Sequence, residues 1–137
     1  MNEIIKRITA TSKMRFRSGA SFEQISTFEQ TMGITLPSAY KEWLTVSDGG
    51  EIFCPDGPQL LGVTNENSKL LIRIGDGVEA PKTMIVIGRT SSGDALCLEN
   101  GAERVIQWSH SPLEEFMSWD NFFCYLKQAE EIYGDEQ

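Results

Sequence analysis

Ile34-Thr-Leu-Pro-Ser-Ala-Tyr-Lys-Glu-Trp-Leu-Thr-Val-Ser-Asp-Gly-Gly-Glu-Ile-Phe53 is the stretch from which the fold is read. Leu36-Pro37 opens a short helix, because proline's missing N–H costs nothing in a first turn. Tyr40, Trp43 and Leu44 follow at i, i+3 and i+4 and give that helix one apolar face. Ser47-Asp48-Gly49-Gly50 then stops it. Glycine takes the positive φ that a helix exit demands, so at least one of Gly49 and Gly50 is expected there. Glu51-Ile52-Phe53 starts a strand that runs to Cys54.

Working toward the N-terminus, Ser21-Phe-Glu-Gln24 has capping-box spacing. It opens a helix carrying Ile25, Phe28 and Met32 on one side and ending at Gly33. Residues 9–20 are small and polar and read as a connection. A first helix before them carries Ile4, Ile5 and Ile8, with Asn2 as its cap.

Toward the C-terminus the texture changes to strands. Gln59–Thr64, Thr83–Gly88, Asp94–Glu99 and Glu103–Trp108 read as extended segments, and Lys69–Ile74 fits either period. Asp56-Gly57 and Asp76-Gly77 are turn dipeptides. Asn100-Gly101 with Ala102 predicts a hairpin. Ser118 is placed as the cap of a last helix to about Tyr133, with Phe122, Phe123, Leu126 and Ile132 as its stripe. Helices, then a meander, then one helix predict an α+β fold. The expectation is one domain over residues 1–137. Its mostly antiparallel sheet of about five or six strands should carry the N-terminal helices and the C-terminal helix.

The chain has 137 residues, 40% apolar and 23% charged, ordinary values for a globular domain. Its longest aliphatic run, Met84-Ile-Val-Ile87, is far too short to cross a bilayer. The N-terminus lacks the apolar core of a signal peptide, so a cytoplasmic location is expected. Cys54, Cys97 and Cys124 are widely spaced without a CxxC pair, and read as reduced thiols. The net charge of −8 is uneven. Residues 1–17 hold five bases and one acid, net +4, and residues 18–137 hold seven bases and 19 acids, net −12. An acidic body repels nucleic acid and anionic membranes and either attracts basic proteins or serves only as a solvated surface that keeps the chain soluble.

Little in the sequence points to catalysis. Gly88-Arg-Thr-Ser-Ser-Gly93 has the glycine spacing of a phosphate loop, but Asp94 stands where that loop needs lysine, and a strand follows instead of a helix. The single histidine, His110, lies in the polar stretch Trp108–Pro112, which reads as a loop. One histidine and scattered cysteines do not build a tetrahedral zinc site. Asp48, Glu51 and Asp56 form an acidic stretch without the ligand spacing of a calcium loop. It reads as a solvated rim, as a docking surface for a basic partner or, last of the three, as carboxylates for acid–base catalysis. Trp43 and Trp119 read as core, and Trp108, beside a polar loop, as a half-exposed anchor of the kind enriched in interfaces. No metal, no cofactor and no enzymatic turnover are expected.

In its motifs the chain resembles the SUKH superfamily, which contains the fungal cell-wall-assembly regulators and many bacterial immunity proteins. The resemblance runs from about Phe22 to Leu126. Leu36, Pro37, Tyr40, Trp43, Leu44, Gly49 and Gly50 carry its strongest part. Gly88, Gly93 and Asp94 match a second motif, and the aromatic segment from Trp119 to Leu126 a third. The first helix and residues 9–20 match nothing in it. The resemblance implies a protein-binding role: an immunity protein that neutralises a bacterial toxin domain without catalysis or, in the manner of the fungal branch, an intracellular scaffold. An acidic inhibitor suits a basic toxin, such as a nuclease, because it can occupy a surface built for phosphates. The expected contact residues are Asp48, Glu51, Asp56, Asp94, Glu99 and Trp108.

Overall fold

The computed structural model describes residues 3–11, 14–64, 71–110 and 112–133. Among them are four helices: α1 (Glu3–Thr9), α2 (Phe22–Met32), α3 (Ser38–Val46) and α4 (Phe122–Tyr133). They accompany seven strands: β1 (Gly50–Glu51), β2 (Gln59–Leu60), β3 (Arg73–Ile74), β4 (Met84–Arg89), β5 (Ala95–Glu99), β6 (Val105–His110) and β7 (Leu113–Trp119). The sheet order is β1-β2-β4-β5-β6-β7, with β3 also paired to β4, and every pairing is antiparallel. The expected α+β fold, with an antiparallel sheet and helices from both ends of the sequence, is the one the chain forms.

Local chemistry explains the helices. Ser21 and Gln24 close the capping box reciprocally at 3.1 and 2.9 Å. Gly33 ends α2 at φ 69°. Pro37 caps α3 without a side-chain bond, so that helix borrows its cap from the β5–β6 hairpin. The Ser38 N–H donates to Glu103 Oε2 at 3.0 Å, and the Thr35 N–H to Asn100 Oδ1 at 2.7 Å. Gly49 and Gly50 both take positive φ, 89° and 92°. At Gly49 a Cβ would sit 2.7 Å from the Leu60 carbonyl oxygen, and at Gly50 2.7 Å from that of Arg15. Left-handed geometry and close backbone approach therefore coincide at this exit from α3.

Tyr40, Trp43 and Leu44 are all buried, as their spacing predicts. Tyr40 and Trp43 meet Phe122 of α4 at 4.7 and 6.2 Å between ring centroids. The Tyr40 hydroxyl donates to the Leu61 carbonyl at 2.5 Å. Burial, with Asp48 nearby, pushes that phenol well above its ordinary pKa. The α1 residues Ile4, Ile5 and Ile8 are buried, and α1 packs on α4, where Arg7 pairs with Glu130 at 2.9 Å.

Several expected boundaries shift. The strand expected over Glu51–Cys54 stops at Glu51, and Phe53 takes φ 53° just before the cis Cys54-Pro55 bond. The segment expected over Gln59–Thr64 pairs regularly only at Gln59 and Leu60. Of Lys69–Ile74, Lys69 and Leu70 lie outside the described residues, as does Asn2, and Arg73–Ile74 is strand. β7 is the largest difference. Ser118 does not cap α4; it lies in β7 and accepts from Arg104 at 3.1 Å. Asn121 performs the capping, accepting from the Cys124 N–H at 2.9 Å. His110 is the last residue of β6, not part of a loop, and pairs with Leu113. Trp119 ends β7, half-buried, with its ring edge-on to Tyr125 at 4.8 Å.

Side chains alternate across a strand, so register sorts the two faces of the sheet. Leu98, Val105 and Trp119 share one face, which α4 covers through the Trp119–Tyr125 contact and a Trp119 Nε1–H bond to Gln128. Val86, Cys97, Ile106 and Ser118 share the other face, and the register places Arg73, Arg89, Glu99, Trp108 and Glu115 there too. The central residues of this second face are fully buried beneath those longer side chains. Burial pushes the Cys97 thiol up to about 12, Glu79 adding to it and Arg73 opposing, so Cys97 is a packing residue.

Candidate functional site

Asp48 sits at the exit from α3, and that exit turns its carboxylate inward. It is 1% exposed. Oδ1 accepts the Val63 N–H at 2.7 Å, and Oδ2 accepts the Thr64 N–H at 3.0 Å and the Thr64 hydroxyl. A charged acceptor on two backbone donors is a strong pairing. Asp48 is thus a structural tie between the α3 exit and the segment after β2. Its expected place on a contact surface is corrected: a buried carboxylate already holding three donors has nothing to offer a partner.

The other expected contact residues divide among three places. Glu51 is on β1, its carboxylate partly exposed and 3.9 Å from the Arg15 guanidinium. Asp56 is exposed in the turn after Pro55. It lines an open groove of about 500 Å³ with Phe53, Pro55, Ser91, Ile132 and Tyr133. Asp94 precedes β5 on the helix-covered side, where its carboxylate accepts from Gln107 Nε2 at 2.9 Å. Glu99 and Trp108 share the helix-free face. Trp108 is half-buried, and its indole N–H is enclosed without an acceptor among the described residues.

The stretch Gly88–Gly93 closes the β4–β5 hairpin. The Thr90 carbonyl accepts the Gly93 N–H at 3.0 Å, and the Thr90 hydroxyl accepts the Asp94 N–H at 3.1 Å. The Gly93 and Asp94 amides are thus taken up within the turn itself.

The helix-free face carries charge that the sequence reading missed. Arg104 pairs with Glu115 at 2.7 Å and with Glu99 at 3.4 Å. Arg73 and Arg89 each meet Glu79 at 2.6 Å. Burial alone would raise the Glu79 carboxyl, but the bonds and charges of the two guanidinium groups hold it below its ordinary value. Three arginines thus stand against three glutamates, and the face is nearly charge-balanced. Asp56, in its turn beside the α4 groove, and Glu114, which its pairing with Ser109 turns to the opposite side of β7 from Glu115, have no cation in pairing distance among the described residues. Glu114, Glu115, Phe116 and Met117 were missed because β7 itself was.

No helix among the described residues is long and apolar enough to cross a membrane. No group of three or more histidine, cysteine or acidic side chains is placed to hold a metal ion among them.

Three comparisons with known proteins bear on this geometry. Over 73 residues the chain is 33% identical to the uncharacterized protein YnaB of Bacillus subtilis (strain 168). That match covers 53% of this chain and 46% of YnaB, so the chain spans about half the length of this relative. A crystal structure of a protein from Pseudomonas syringae pv. tomato superposes with a TM-score of 0.66 at 17% identity, covering 93% of this chain and 96% of that one. It shares the fold. The family model described as SMI1 / KNR4 family (SUKH-1) matches residues 19–128, which include α2, α3, the sheet and the first half of α4. The chain therefore belongs to the SMI1 / KNR4 family (SUKH-1).

Proposed function

We propose that this protein is an immunity-type inhibitor that binds a basic toxin domain and blocks it by occupying its surface, without chemical turnover. Family membership over residues 19–128 carries the reading. The net charge of −12 over residues 18–137 adds to it, since a strongly acidic inhibitor is drawn to a surface evolved to hold phosphates. The proposed contact residues are Glu51, Asp56, Asp94, Glu99 and Trp108, on a single domain over residues 1–137 acting in the cytoplasm, where neither nucleic acid nor membrane is its partner. No cofactor is assigned to the role.

The test is protection and binding together. The gene is co-expressed with a toxin domain encoded beside it, and association is measured across salt concentrations. Cells should survive, and the on-rate should fall as salt rises, because screening confines fields to about 8 Å at physiological ionic strength. The variant Glu51→Lys/Asp56→Lys should associate more slowly while keeping its fold. Survival unchanged by the protein, with no complex formed, would refute the inhibitor reading.

A further inference from the structure

We propose that the outer edge of β7 receives an extended, basic segment of the partner as an added strand of the sheet. The inference rests on the reading that the partner is a basic protein, and it locates where the backbone of that partner engages.

The two ends of the sheet are treated differently. At the β1 end the chain closes its own edge: the Arg15 N–H donates to the Glu51 carbonyl at 2.9 Å, and the Glu51 N–H to the Arg15 carbonyl at 3.0 Å. At the other end β7 pairs with β6 alone, and no described residue pairs with its outer edge. Glu114 to Ser118 are all exposed. Such an edge is a template for another chain unless it is blocked. Of the common blocks β7 lacks lysine and proline but carries two glutamates and a bulge at Phe116, so what bars a like-charged strand still admits a basic one.

What β7 does carry is selective. Its run is Leu113-Glu-Glu-Phe-Met-Ser-Trp119. A second copy brings the same two edge glutamates in a molecule of the same −8 net charge, and that like charge disfavours pairing between copies. A strand bearing lysine or arginine meets attraction instead. Glu115 is shared with Arg104, whereas Glu114 has no cation in pairing distance among the described residues. The register of β6 against β7 skips Phe116, a bulge that leaves this ring unpaired and 63% exposed, beside Met117 at 36%. These two side chains offer apolar contact to an incoming strand, and the backbone edge supplies affinity independent of sequence.

The experiment uses the whole chain and, as probe, a short synthetic peptide of alternating lysine and valine. Backbone amide exchange is followed by NMR. One control peptide keeps the charge but carries N-methyl groups on alternate amides, which removes the pairing donors, and another replaces lysine with glutamate. The lysine peptide should slow exchange at Glu114–Ser118 by about tenfold or more, and Glu114→Lys should weaken its binding by about tenfold, the loss expected for one charge pair plus the repulsion replacing it. The glutamate and N-methylated peptides should do neither. Equal binding of the N-methylated peptide, or exchange at β7 unchanged by the lysine peptide, would overturn the proposal. A folded Glu114→Lys variant that still protects cells from the toxin as well as the parent would overturn edge docking and leave the inhibitor reading standing.

Discussion

Replacing Asp48 by alanine should destabilise the fold, although a buried acid at the end of a helix looks like a surface residue in the sequence. The substitution strands the Val63 N–H, which is buried, and the Thr64 N–H, which is half-buried. An unsatisfied buried donor costs about 1–3 kcal/mol. Taking the full range for Val63 and the lower end for Thr64 gives a loss of about 2–4 kcal/mol. For a chain of this length that corresponds to roughly 6–12 °C in Tm. Asp48→Asn keeps one acceptor but turns an amide N–H2 toward one of the donors, so it should lose about 1–3 kcal/mol. Urea unfolding followed by tryptophan fluorescence measures both, and the slope m should stay constant if only native contacts change. A solvated rim residue would shift stability by no more than about 0.5 kcal/mol. That result for Asp48→Ala would refute the buried tie and restore Asp48 as a surface acid.

Other outcomes follow from the same geometry. Gly49→Val should cost about 2 kcal/mol or more, combining left-handed backbone strain with a Cβ 2.7 Å from the Leu60 oxygen, as read by thermal unfolding. Glu79 makes a pH-dependent contribution. Its folded pKa lies below the unfolded value, so its stabilisation is present above the ordinary carboxylate range and is lost as pH falls through the folded pKa. Stability of Glu79→Gln should therefore fall less than that of the parent as pH drops below about 4.5, in parallel unfolding titrations.

What the sequence disclosed was local. The Ser21/Gln24 box, the Tyr40–Trp43–Leu44 stripe and the Asn100-Gly101 turn each depend on neighbours a few residues apart, and each is found where it was expected. β7 escaped because Leu113–Trp119 lacks period-2 alternation: as an edge strand with a bulge at Phe116 it buries neither face. Asp48 was misplaced for a different reason. Its donors, Val63 and Thr64, lie 15 and 16 residues on, and nothing in the composition of either segment announces the meeting. The Glu99–Arg104–Glu115 and Arg73–Glu79–Arg89 groups likewise exist only through strand register.

The junction of α1 with α4 has a consequence for the order in which this chain assembles. β4 to β7 form a meander in which each strand pairs with the next, so each closure joins residues close in sequence and costs little chain entropy. Arg7 and Glu130 meet across 123 residues, and that closure becomes favourable only once the intervening chain has contracted. The meander is then the natural nucleus, and the helix pair is a latch set late. α1 is a helix of seven residues joined to the rest through three buried isoleucines and Arg7, so it should exchange its amides faster than β4 and β5 while the rest of the fold stays closed.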